Sequence, residues 1–468
     1  MNDFVDLIIS ELQSSLVLAV AAVVLCVLAL SVSFFVFKKK YKDERRFPWL
    51  KAILILLFVG YITVVLYATI IRTSSYGYGN VNLHLFRAWR EAWNNYSLKN
   101  WLNIILNIAL FVPLGILLPF LCKIFRKWYI TFGTGLGFSL MIEAVQYFSC
   151  RGLFDVDDLF ANVLGAMFGF CIIMLLLSTL EKEKKRLKQC VIYAILPFIT
   201  VASFAWITIA YHTQEYGNLE NTAAFTVDTK DTVFELKCNL DDAPATAPTY
   251  RTVTFTKETC DAFGAAFFEM IGATYDDVAY YDNETYFMCH SSPAHFLSVY
   301  YFDRSYEYSY VDYEDNVWTE TDELTLRDKL MTYDIEIPED AIFTYEGDGW
   351  HKFSVTRAVN GAEMIDGTIR CRYTEKGTLR EIDNKMVSYE FYKEEEIISA
   401  AEAYEQLCKG HISDGDYFEY CAPDKISVLS CALEYQIDTK GFYQPVYVFE
   451  LLSDNGKYAS RSIIPALR

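Results

Sequence analysis

The apolar positions change their pattern once along this chain. Up to residue 211 they fall into six unbroken runs, at roughly 16–37, 50–71, 101–122, 129–149, 159–180 and 190–211. Each run meets the ~20 apolar residues a helix needs to cross a ~30 Å hydrocarbon layer. Five of them carry no charge beyond a terminal Lys51, while the run 129–149 carries Glu143. The first run reads as a true span rather than a cleaved signal peptide, because Asp3, Asp6 and Glu11 precede it and it is too long. After Tyr211 the runs shorten and alternate, as in TIRCRYT, VSYEFYK and PVYVFELL. Turn pairs punctuate them: Asn360-Gly361, Asp366-Gly367, Lys376-Gly377 and Asn455-Gly456. One helix is predicted there, ISAAEAYEQLCKG, with Ser399 and Glu402 as a capping box, Ile398 as a staple and Gly410 at its end. The pattern therefore predicts an α-helical integral membrane bundle of six transmembrane helices, followed by an extracytoplasmic α+β domain. The expected parts are 1–49 (one span and a basic loop), 50–211 (the polytopic part), and outer α+β subdomains 212–340 and 341–468.

Charge divides the chain at the same place. Residues 1–211 carry a net +8 and residues 212–468 a net −27. The basic connections 38–46, 122–128 and 181–188 alternate with poorly basic ones. By the positive-inside rule they lie in the cytoplasm, which puts the N-terminus and the acidic domain outside a membrane crossed several times. The acidic balance excludes nucleic acid as a partner, since phosphates need positive charge.

Polar groups inside the apolar runs collect at one level. Measured from Trp128 at 1.5 Å per residue, Glu143 lies roughly 22 Å along its helix, and Gln146 follows one turn later on the same face. Arg151, Asp155, Asp157 and Asp158 occupy the next connection, and Asn162 lies one turn beyond Asp158. Asn103, Asn107 and Arg72 reach the same outer level from other helices. Ionisable groups in a bilayer are costly and mark sites by default. Each also has a structural alternative. Asp158 could be a helix N-cap, Arg151 could meet lipid phosphates, the asparagines could join helices, and Glu143 could pair with Arg72 or Arg151. The small-residue pairs Gly133/Gly137 and Gly165/Gly169 predict close packing of the fourth run on the fifth.

Other chemistry is absent from the sequence. There is no zinc spacing, C-x-x-C, H-E-x-x-H or G-x-S-x-G, so neither a metal nor a cofactor is expected and no catalytic motif is recognised. Seven cysteines follow Tyr211, at 238, 260, 289, 371, 408, 421 and 431, and an outer location would permit disulfides. The Tyr-rich run from Tyr300 to Tyr313 reads as an amphipathic strand pair, although its rings could stack on sugars.

The combination Asn103-x-x-x-Asn107, Phe111-x-Pro113-x-Gly115, Ser139-x-x-x-Glu143-x-x-Gln146, Arg151 and Asp155-x-Asp157-Asp158-x-x-x-Asn162-x-x-Gly165-x-x-x-Gly169 resembles the VanZ-like family over about residues 60–175. The resemblance implies a bacterial cell-membrane protein, in a family associated with low-level resistance to the glycopeptide teicoplanin. It assigns no catalytic residue. Fainter is the likeness of the last stretch to extracytoplasmic YycI-type regulatory domains, which carries over no residue. Two functions are therefore expected. In one, the outer polar layer binds or acts on cell-wall precursor lipids, or meets the glycopeptide itself. In the other, the acidic domain is a sensor or scaffold for a protein or wall ligand.

Overall fold

A computed structural model describes residues 49–71, 81–180 and 186–468, apart from 242–244, 253, 282, 313–316 and 361–362, together with a few single positions between 24 and 35. The expected first span and Arg72 thus lie mostly or wholly outside the described residues. The chain divides into two compact units, residues up to 90 with 98–213, and residues 91–97 with 214–468.

The first unit is helical. Its elements are α1 (Trp49–Leu66, continued by one π-helical turn, Tyr67–Ile71), the first turn of α2 (Arg87–Asn95, whose residues from Glu91 belong to the second unit), α3 (Leu98–Leu121), α4 (Trp128–Phe148), α5 (Val156–Leu180) and α6 (Arg186–Thr213). Among the described residues four helices are long and apolar enough to cross a membrane: α1, α3, α5 and α6. Four of the six expected spans are thus found among the described residues, while the first expected span lies almost wholly outside them. Helix α4 has the length for a span, but Glu143, Gln146 and its glycines and threonines dilute its apolar character. Helix α3 continues through Pro113, and Tyr61 of α1 donates its hydroxyl to the neighbouring Leu110 carbonyl at 2.9 Å.

Close backbone approach fixes the bundle. A Cβ built on Gly165 would lie 2.0 Å from the Ile108 carbonyl oxygen, and one on Gly169 2.1 Å from that of Val112. Conversely, a Cβ on Gly115 would meet the Ala166 oxygen at 1.8 Å. The pair Gly165/Gly169 thus packs on α3, not on α4 as its sequence neighbourhood suggested. Gly133 and Gly137 have no described atom within 4 Å of their would-be Cβ, and Gly135 faces Ala166 instead. The reason is rotational. Helix α5 gives its glycine stripe to α3, and α4 meets α5 along Gly135 and Ser139. Val65, Phe111, Leu114, Leu118, Ile142 and Ala166 fill the space between α1, α3, α4 and α5. The rings of Trp89, half-buried, and Phe86, exposed, lie against Trp101, Phe160 and Phe204, with ring centroids 5.2–6.4 Å apart.

The second unit is dominated by a 14-stranded sheet, so it is β-rich rather than evenly α+β. Its strands in chain order are β3 (Val233–Leu236), β4 (Ala245–Arg251), β5 (Asp277–Tyr280), β6 (Glu284–Cys289), β7 (Ala294–Tyr300), β8 (Tyr306–Val311), β9 (Ile342–Gly347), β10 (Trp350–Asn360), β11 (Glu363–Tyr373), β12 (Leu379–Asn384), β13 (Val387–Ile397), β14 (Lys425–Ile437), β15 (Phe442–Ser453) and β16 (Ala459–Pro465). Two short strands of the first unit, β1 (Val81–Asn82) and β2 (Phe154–Asp155), pair separately. The path runs β3-β14-β15-β4-β13-β11-β12-β8-β7-β6-β5, with β16 on β15, β10 on β11 and β9 on β10. The Tyr-rich run supplies the turn after β7 and the whole of β8, a single strand that pairs back on β7, rather than a strand pair of its own.

This sheet crosses the boundary expected at residue 340. Two cores form, but they divide the chain differently. One gathers residues between 255 and 386 under α7 (Lys257–Met270) and α8 (Glu323–Met331), around Phe268, Phe287, Leu297, Leu326 and Phe353. The other joins residues 225–247 to residues 397–467 under α9 (Ala400–Cys408) and α10 (Gly415–Cys421). Antiparallel pairing of β4 with β13 brings the flanking segments together, so the first core is inserted into the second.

Local signals work where they are self-contained. The Ser399 hydroxyl accepts from Glu402 N at 3.1 Å, and Glu402 Oε2 accepts from Ser399 N at 2.8 Å. Gly410 sits at φ +94°, pressed on the Val227 carbonyl. All seven cysteines of this unit are free. Burial pushes the Cys260 thiol up to about 11 and the Cys371 thiol up to about 12, which keeps both protonated and unreactive near neutral pH.

The glycine geometry gives the first expected outcome. Gly165→Ala forces α3 and α5 apart and, as overpacking of this kind costs about 1–3 kcal/mol, should lower the melting temperature of the purified protein in detergent. Gly133→Ala should leave it unchanged. Equal melting temperatures would contradict the packing described.

Candidate functional site

The polar residues singled out in the sequence fall into four local arrangements. The first centres on Asp157 at the start of α5, only 2% exposed. Its Oδ1 accepts from Phe86 N at 2.5 Å and its Oδ2 from Ala88 N at 2.7 Å. This carboxylate therefore holds the turn into α2. Phe86 has φ +68°, a left-handed conformation that a bulky residue adopts only under constraint. A charged acceptor bonding the amide on each side of Arg87 supplies that constraint.

The second arrangement joins β1 to β2. Asn82 Nδ2 donates to Asp155 Oδ1 at 3.0 Å, and the same oxygen accepts from Asp157 N at 2.7 Å. Asp155 N in turn donates to Glu143 Oε2 at 3.0 Å. Glu143 is 2% exposed on α4, so a buried carboxylate of one helix anchors the strand that opens the next. Glu143, Asp155 and Asp158 lie within electrostatic range of one another.

The third is a pair of amide contacts along α5. Asn107 of α3 donates through Nδ2 to Asp158 Oδ1 at 2.5 Å. One turn further, Asn162 donates through Nδ2 to Ser139 Oγ of α4 at 3.0 Å. Asn162 is 4% exposed and Ser139 fully buried, yet Asn162 Oδ1 has no hydrogen-bond partner. A buried amide carbonyl without a donor is costly, and it offers an acceptor to whatever group enters. The fourth is separate: Gln146 Nε2 donates to the Thr69 carbonyl at 2.9 Å, in the π-helical turn that ends α1.

The structure thus brings together Asn107, Glu143, Asp155, Asp157, Asp158 and Asn162. It does not bring in Asn103, which is exposed on α3, and Arg151 is exposed beyond the end of α4. Sequence reasoning did not single out Asn82, the amides of Phe86 and Ala88, or the role of Ser139. Ser139 was legible as a partner, four residues before Glu143 on the same helix face. Nothing in the sequence pointed to Asn82, whose position depends on a two-residue strand pairing. Chemically the arrangement is rich in acceptors. It suits a ligand that brings N–H or O–H donors, and it repels a bare phosphate. No group of three or more His, Cys, Asp or Glu side chains arranged to hold a metal occurs among the described residues.

The family model described as VanZ/LLP1 matches residues 50–177. The match spans α1 through nearly all of α5 and contains every residue of the four arrangements, but only about a quarter of the chain. The resemblance read from the sequence holds for this segment, and with the apolar helices it identifies a membrane protein. No curated protein matches the chain, and the fainter YycI-type likeness gains no support.

The Asp157 geometry predicts that Asp157→Ala releases the turn at Phe86. Each hydrogen bond to a charged acceptor is worth about 1.5–3 kcal/mol, so amide hydrogen exchange across residues 84–90 should accelerate by at least about tenfold. Asp157→Asn should fall between, and Asn103→Ala should match the parent. Unchanged protection in Asp157→Ala would mean that the turn is held by something else.

Proposed function

We propose that residues 50–177 act as a VanZ-like domain at the outer side of the bacterial cell membrane, where their acceptor-rich layer engages the polar end of a cell-wall precursor lipid and so alters susceptibility to glycopeptides such as teicoplanin. The observation that carries this reading is the buried polar group within the matched segment: Glu143, Asp158 and the unsatisfied carbonyl of Asn162. Precursor headgroups carry sugar hydroxyls and peptide amides, donors that the Asn162 carbonyl lacks and that the two carboxylates, each already holding one N–H donor, can still accept. The lipid phosphate belongs with cations, and in this reading Arg151, exposed just beyond α4, would meet it. This is a binding role. No residue is assigned to bond making or breaking.

The test is a susceptibility assay at matched membrane levels. A host expressing the full chain should tolerate more teicoplanin than a host with empty vector. The double variant Glu143→Gln with Asp158→Asn should lose that gain, while Gly133→Ala should keep it. A full chain that gives no shift, or a double variant that keeps all of it, would overturn the reading.

A further inference from the structure

The β-rich unit carries a trough that none of the foregoing uses. One face of strands β6, β7, β8 and β12 is buried under α7 and α8, through Phe287, Leu297, Tyr306 and Ile382. Because side chains alternate along a strand, the residues between these point to the other face. There the strand register aligns them in two rows. In one, Phe296 stands opposite Ser309, Ser309 opposite Glu381, Glu381 opposite Arg372, and Arg372 opposite Trp350. In the other, Tyr286 is opposite Ser298, Ser298 opposite Glu307, and Glu307 opposite Asp383.

The order of residue sizes along these rows makes the shape. Small Ser298 and Ser309 lie in the middle, and aromatic rings stand at the ends. The result is a trough of about 420 Å³, within the range of ligand sites. At roughly 4.8 Å per strand, the row from Phe296 to Trp350 runs roughly 19 Å along the surface. Tyr286 and Phe296 present nearly parallel rings, 6.1 Å apart and 11° from coplanar orientation. Arg370, with its guanidinium carbon 4.7 Å from the Trp350 ring centre, steadies the opposite wall.

Its charges are already paired, three carboxylates with two cations. Arg372 meets Glu381 at 3.2 Å, and Lys385 meets Glu307 at 3.1 Å and Asp383 at 3.0 Å. A cationic ligand would have to displace these partners. A neutral polyhydroxylated ligand would not: its hydroxyls can donate to the paired carboxylates and exchange with the serine hydroxyls, while its C–H faces lie on flat aromatic rings.

We propose that this trough binds a short neutral oligosaccharide lying across the strands, between the Tyr286/Phe296 pair and Trp350. The inference concerns the β-rich unit and stands or falls separately from the role proposed for residues 50–177.

The experiment uses the full chain in lipid nanodiscs. It is titrated by calorimetry and by saturation-transfer NMR with β-1,4-linked tetramers of N-acetylglucosamine and of glucose, and with spermine as the cationic comparison. At least one tetramer should bind saturably. Trp350→Ala and Phe296→Ala should each weaken it about tenfold, the scale of one aromatic contact. Ser309→Trp, which fills the floor while keeping the walls, should abolish it at an unchanged melting temperature. Binding of neither tetramer, binding of spermine alone, or tetramer binding that survives both Trp350→Ala and Ser309→Trp would overturn the proposal.

Discussion

Within a bilayer a backbone amide or a carboxylate has no water to fall back on, and the first unit is organised by that constraint. Asp157 shows it most directly. A buried carboxylate would be prohibitively costly alone, and two exposed amides at a tight turn would be costly too. Brought together at 2.5 and 2.7 Å, each removes the other's penalty. The same reciprocity joins Glu143 to the Asp155 amide and Asp158 to Asn107. The polar layer is therefore first of all a set of clasps between α2, α3, α4 and α5, built where the apolar packing of those helices ends. Function has to be sought in what the clasps leave over, which is why the Asn162 carbonyl carries more weight than the far more conspicuous run of aspartates.

The β-rich unit solves a different problem. A large sheet must bury at least one face, and here two sets of helices each cover part of it. What remains open at the trough is mainly polar. Serines, paired charges and a few rings occupy it, as suits a surface that stays wet without inviting another sheet. The contrast with the helical unit is one of solvent. One part hides its polar groups in pairs, and the other displays them in rows.

Much of this was legible in sequence, for identifiable reasons. Helix positions followed from uninterrupted apolar runs, and the expected limits fall within a few residues of those observed in α1, α3, α4, α5 and α6. The Ser399–Glu402 box was readable because its partners are three residues apart and need nothing else. Helix rise led to the expectation of polar residues at one level; Asn107, Glu143, Asp155, Asp157, Asp158 and Asn162 do meet, whereas Asn103, Gln146 and Arg151 stand apart. Three things were not readable. Which helix Gly165 and Gly169 would touch depends on rotation about the helix axis, and glycine spacing reports that a face is small without saying what faces it. That Asp157 would serve Phe86 and Ala88, some 70 positions away, depends on a loop fold with no local signature. The division into cores was misplaced because turn signals mark where strands end, not which strand they will join.

That misplaced division carries a consequence for how the chain reaches its native state. Strand β4 leaves the ribosome early, yet its partners β13 and β15 follow only after the whole inserted core has been made. Closing so long a loop unaided is entropically slow. The insertion's own hairpins, β6–β7 and β7–β8, are local, and in the native sheet the two ends of the intervening chain lie side by side, at Arg251 and Glu390. The core that looks like an embellishment of the sheet is also the whole of the chain that separates β4 from β13, so the sheet cannot close before that chain has been made.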